Sequence, residues 1–199
     1  MRHGVVILVA LAAAALGVGA GLLVSGPGPV WRTELGQRAL QRAAEVAKPP
    51  PDGVRMARRG EAMPAIALPA LSGERIALPA AYAGRPLLLN FWASWCAPCV
   101  KEMPELDRFA QSQGADGVQV VGIALEDAEA VRAFLARIPV TYPILLDTPG
   151  PADSSVQVGN AMGVLPYSVL VGADGRILRQ RAGPFDPGEL DDFARVAAP

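Results

Sequence analysis

The sequence predicts an α/β protein in three layers: a central mixed sheet flanked by helices, preceded by an N-terminal hairpin. Two patterns predict it. From Leu87 onward, short apolar runs alternate with stretches whose apolar residues recur every three or four positions, as strands joined by crossover helices do. Near the end, two apolar runs face each other across Ala173-Asp174-Gly175, a turn that adds an antiparallel edge. With 51% apolar residues the chain can fill a substantial core. Its 18 basic and 19 acidic residues nearly cancel, so no electrostatic footprint for nucleic acid exists.

Residues 4–24 follow the short basic start Met1-Arg2-His3 and carry no charge. As a helix they would span about 30 Å, a bilayer's hydrocarbon thickness, so a transmembrane signal-anchor is expected. The competing reading is a signal peptide cleaved after Val18-Gly19-Ala20, leaving a soluble exported protein. Apolar Leu22, Leu23 and Val24 continue beyond that point and favour the anchor. Large domains translocate largely regardless of flanking charge, so the C-terminal bulk is expected on the exported side.

Residues 25–60 read as a linker, with a short amphipathic helix over 33–47 before a proline-rich stop. Residues 61–199 form the folded domain. A hairpin over 66–68 and 75–78 opens it. A fully apolar strand follows at 87–92, then a helix at about 97–112 that should kink at Pro104. A buried strand at 118–125, a helix at 127–138, a short strand at 143–146 and a helix at 153–162 come next. Strands at 167–171 and 176–180 form a second hairpin, and a helix at 187–197 closes the chain. Trp92, Met103 and Met162 read as core.

Cys96 and Cys99 are the only cysteines, spaced Cys-x-x-Cys where the strand at 87–92 hands over to a helix. The first-turn amides there are unpaired and the helix dipole is positive, which favours a thiolate over a thiol. Pro98 suits that first turn, where its missing N–H costs nothing. The arrangement favours thiol–disulfide exchange. A purely structural bridge across so small a ring would remove little unfolded-chain entropy. Zinc needs about four ligands, which one cysteine pair and the single histidine, His3, do not supply. Soft thiolates suit Cu(I), so a copper-binding metallochaperone is one alternative. A thiol peroxidase is another, although Ala93-Ser94-Trp95 lacks the Thr and Pro such an enzyme places before its cysteine.

Asn90-Phe91-Trp92-Ala93-Ser94-Trp95-Cys96-Ala97-Pro98-Cys99, with Glu102, Pro104 and Gly163-Val164-Leu165-Pro166, resembles the thioredoxin superfamily. Within it, the chain is similar to the membrane-anchored, TlpA/ResA-like thiol–disulfide oxidoreductases over roughly 61–198. The resemblance implies a thioredoxin-like fold in which Pro166 is the cis-proline facing the cysteines. It implies that Cys96 attacks, Cys99 resolves, and Trp95, Leu165 and Pro166 contact the substrate. Thioredoxins proper carry a buried aspartate where this chain has Asn90, which does not titrate. Glu102 lies on the flank of Cys99, three residues on, and in the resembling branch a glutamate there tunes the cysteines. No cofactor is implied, since electrons arrive through another dithiol. The implied partners are a client protein bearing a disulfide or thiols, such as apocytochrome c, and a membrane thiol-reductant transporter. The implied place is the cell inner membrane, single-pass, with the domain in the periplasm.

Overall fold

The computed structural model describes residues 33–47 and 53–195. The anchor expected at 4–24 lies outside the described residues, and among those described no helix is long and apolar enough to cross a membrane. Contacts divide the chain into Met1–Arg42 and Ala43–Pro199. The linker helix is present as α1, Glu34–Ala47, opened by the Gly36 amide donating to Thr33 Oγ1 at 3.1 Å.

The second unit begins with the expected hairpin, β1 (Ile66–Pro69) against β2 (Arg75–Leu78). Then come β3 (Leu87–Trp92), α2 (Ala97–Ser112), β4 (Gln119–Leu125), α3 (Ala128–Leu135) and β5 (Ile144–Asp147). The short helix α4 (Ser154–Gln157), β6 (Tyr167–Val171), β7 (Ile177–Ala182) and α5 (Glu189–Ala194) complete it. The main sheet runs β5-β4-β3-β6-β7, with β3, β4 and β5 parallel and β6 and β7 antiparallel to their neighbours. This is the mixed thioredoxin-like sheet. Its parallel half comes from helical crossovers, and the turn at Gly175 folds β7 back on β6 at the antiparallel edge.

Every residue of β3 is buried, which is why it reads as an unbroken apolar run. Period-two alternation then sorts it. Leu88 and Trp92 pack with Met103, Leu106 and Phe109 of α2, Val131 and Phe134 of α3, and Leu190 and Phe193 of α5. Leu87, Leu89 and Phe91 point the other way, against Ile66, Leu68 and Leu78 of the hairpin and Val158 after α4. Glycine at 122 makes room on the first face. A Cβ there would stand 2.6 Å from Ile144 Cδ1 and 3.1 Å from both Trp92 Nε1 and Tyr142 Cε2.

Asn90 shares the α2-facing side. Pairing sets Gly122, Asn90, Ser168 and Arg181 in one row across β4, β3, β6 and β7. Three polar residues thus lie side by side beneath α2, and all three are buried.

Three expectations need correction. The helix expected over 153–162 is only α4, because Gly159 takes φ +105° and the buried Asn160 side chain bonds the backbone of Val164. Met162, read from the sequence as core, is 48% exposed. The last helix is also shorter than 187–197, since Gly188 at φ +84° is its N-cap. Pro104 sits within α2, which continues through it.

Candidate active site

The handover from β3 to α2 is built by short-range bonds. The Cys96 amide donates to Ala93 O at 3.1 Å, and the Val100 amide to Cys96 O at 3.1 Å. From the end of β4, Glu126 reaches across: Ser94 donates its amide to Oε1 at 2.6 Å and its hydroxyl to Oε2 at 2.8 Å. One carboxylate therefore holds the residue two before the first cysteine.

Cys96 is the N-cap of α2 and is disulfide-bonded to Cys99, their Cα atoms 5.3 Å apart. The Cys99 amide points at Cys96 Sγ, 3.3 Å away. An N–H aimed at sulfur at a helix N-terminus stabilises the negative charge that breaking the bond leaves on Cys96. Cys96 is 6% exposed and Cys99 0%, so the first cysteine is the more accessible by a narrow margin. Beside them Ala97 and Pro98 are exposed, and Trp95 is 71% exposed.

Glu102 is not a solvated first-turn acid. It lies buried at the row of polar residues, where Asn90 Nδ2 donates to its Oε1 at 2.8 Å and the Phe185 amide to its Oε2 at 2.9 Å. Asn90 Nδ2 also donates to Ser168 Oγ at 3.1 Å. Burial pushes the Glu102 carboxyl up to about 7, against the opposing pull of Phe185, Asn90 and Arg181. A carboxyl poised there exchanges a proton readily near neutral pH.

The third component is the chain leading into β6. The Leu165–Pro166 peptide is cis, and Pro166 is buried immediately before Tyr167, which pairs with Phe91. Pro166 therefore lies at the end of the sheet from which the cysteine loop emerges. Asn160 shapes the approach: its Oδ1 accepts the Val164 amide at 3.0 Å and its Nδ2 donates to Val164 O at 2.9 Å. Leu165 is half-buried, while Val164 and Met162 are exposed.

The Redoxin family model matches residues 58–197. The chain belongs to the Redoxin family. This Redoxin is 29% identical over 148 residues to sporulation thiol-disulfide oxidoreductase A of Bacillus subtilis, covering 72% of this chain and 86% of the relative. It is 27% identical over 143 residues to the thiol-disulfide oxidoreductase ResA of Bacillus cereus, covering 70% and 79%. Among solved structures, the thiol:disulfide interchange protein DsbE of Chlorobium tepidum superposes with a TM-score of 0.58 at 28% identity, covering 70% of this chain and 94% of that one. The chain is a thiol–disulfide oxidoreductase of thioredoxin type.

Of the residues singled out from the sequence, Cys96, Cys99 and Trp95 share one turn, and Glu102 lies one helical turn further on. Leu165 and Pro166 enter β6 at the same end of the sheet. Sequence reasoning missed Glu126, Ser168, Arg181 and the Phe185 amide. Glu126 carried a signal, since it follows the parallel strand adjacent to β3 and so emerges beside the cysteine loop. The Phe185 amide carried none.

Proposed function

We propose that this Redoxin reduces disulfides of exported client proteins from the outer face of a bacterial cytoplasmic membrane, held there by residues 4–24. The Cys96 thiolate attacks one client sulfur and the other leaves as a thiolate, giving a mixed disulfide. Cys99 then attacks Cys96 Sγ, which expels the second client sulfur. The client gains two electrons, and the Redoxin ends with its Cys96–Cys99 bond. A membrane thiol-reductant transporter returns two electrons, so no cofactor is required. Trp95, Leu165 and Pro166 contact the client's extended chain, and proteins with paired cysteines, such as apocytochrome c, are the client class. Glu102 takes the proton of Cys99 in the second step, a task Asn90 does not perform.

The observation that carries this reading is the Cys96 sulfur at the start of α2 with the Cys99 amide aimed at it. Client trapping tests it. The Cys99→Ser variant should accumulate mixed disulfides with client proteins, resolved by non-reducing electrophoresis and mass spectrometry, while Cys96→Ser should trap almost none. Equal trapping by both variants would overturn the order of attack.

A further inference from the structure

Behind Glu102 stands a second pair of charges. Arg181 of β7 is buried, and its Nη2 meets Glu189 Oε2 of α5 at 2.6 Å. The same Nη2 donates to Pro184 O at 2.9 Å, and the guanidinium lies 4.8 Å from the centre of the Phe185 ring. Glu189 Oε2 also accepts the Asp186 amide at 2.9 Å, which ties the 184–186 segment to the start of α5.

Pro184 O and the Phe185 N–H belong to one peptide group. At its carbonyl end that group accepts from a guanidinium, and at its amide end it donates to the Glu102 carboxylate. A peptide polarised by a cation at its oxygen is a stronger donor at its nitrogen. The Arg181 charge thus reaches Glu102 both through space and through this peptide.

We propose that Arg181, in its pair with Glu189, is the positioning residue that sets the proton affinity of Glu102, acting through the Pro184–Phe185 peptide. The use of that affinity in resolving the mixed disulfide rests on the proton role given to Glu102 above. Among the described residues, the charged and titratable groups that bear on Glu102 are Arg181 of β7, which Glu189 of α5 pairs with in turn, and Tyr142 from the segment before β5; Cys99 lies three residues earlier on its own helix. From β3 and β6 come the uncharged Asn90 and Ser168. Within this set Arg181 is the one cation, and it favours the charged carboxylate in the same direction as the bonds from the Phe185 amide and Asn90.

The two members of the pair have opposite signs, which gives the test its power. Arg181→Met removes the cation and should strengthen proton binding at Glu102. Glu189→Gln keeps an acceptor oxygen for Arg181 and Asp186 but leaves the guanidinium unopposed, so proton binding at Glu102 should weaken. An opposite charge at short range is worth about one to three pH units, and roughly a threefold to tenfold change each way is expected for this indirect contact. The readout is the Glu102 carboxyl midpoint, followed by carbon NMR in the oxidised full-length chain, where neither cysteine titrates. A rise for Arg181→Met with a fall for Glu189→Gln supports the proposal. Shifts of the same sign, or none, overturn it, because loosening of the 184–186 segment would move both variants together. If Arg181→Met does not fold, Glu189→Gln decides alone, a fall supporting and any other result overturning. The pH profile of mixed-disulfide resolution is measured on the same variants. A profile that ignores a shifted Glu102 midpoint would sink the proton-acceptor role while leaving the Arg181 assignment standing.

Discussion

Replacing Glu102 by glutamine should flatten part of the protein's pH–stability curve. The unfolded chain gives up the Glu102 proton near 4.5, whereas the folded protein holds it to about 7. Between those values the native state binds a proton that the unfolded state has lost, so stability falls as pH rises. The slope is about 1.4 kcal/mol per pH unit, and across the whole interval the loss amounts to about 3 kcal/mol. Below the interval the carboxyl is neutral in both states, and above it the loss is complete. Glu102→Gln abolishes this change. The variant carries a penalty of its own, because its NH₂ group faces a donor, Asn90 Nδ2 or the Phe185 amide, unless the Asn90 amide turns its unpartnered Oδ1 towards it. That penalty does not vary with pH. Guanidinium unfolding of the oxidised protein, followed by tryptophan fluorescence from about pH 4 to pH 8, separates the two contributions. Groups that titrate alike in wild type and variant cancel in the difference between them. The gap should move by about 3 kcal/mol in favour of the variant as pH rises. Parallel curves would refute the reasoning, since Glu102 would then titrate alike in both states.

The same variant should slow resolution by Cys99 about a hundredfold while leaving initial attack unchanged, as stopped-flow kinetics would record. In the double variant Asn90→Asp/Glu102→Gln the rate should partly return, because a carboxylate is restored one hydrogen bond away. Gly122→Ala should destabilise the domain by about 1–3 kcal/mol in thermal unfolding, since its Cβ meets Ile144, Trp92 and Tyr142 at once. The mature protein should keep Met1 and fractionate with membranes, and intact mass showing an N-terminus near Gly21 would contradict the anchor reading.

What could be read from the sequence was what neighbours along the chain decide. The helix-capping position of Cys96 follows from apolar strand, turn and helical period within one short stretch. Glu102 could be placed on the flank of Cys99 by helical spacing alone. Its burial could not, because the amide that receives one of its oxygens belongs to Phe185, 83 residues away in the chain. Likewise the polar row of Asn90, Ser168 and Arg181 exists only once register is fixed between three strands. The overlong helix at 153–162 fails for a local reason that period counting ignores. Asn160 bonds the backbone ahead of it instead of continuing the helix, and Met162 is carried to the surface. The cis peptide at Leu78–Pro79 had no marker in the sequence, unlike that at Leu165–Pro166, where family resemblance supplied one.

The grip of Glu126 on Ser94 bears on how electrons leave this protein. Neither of its two hydrogen bonds involves sulfur, and the same holds for the bonds from Cys96 N–H to Ala93 and from Val100 N–H to Cys96 O. Opening the Cys96–Cys99 bond removes a covalent tie and none of the donors or acceptors that place the loop. Reduction of the pair to a dithiol therefore leaves all four of these bonds with their donors and acceptors intact, and the loop keeps a set of ties to β4 and α2 that the redox step does not consume.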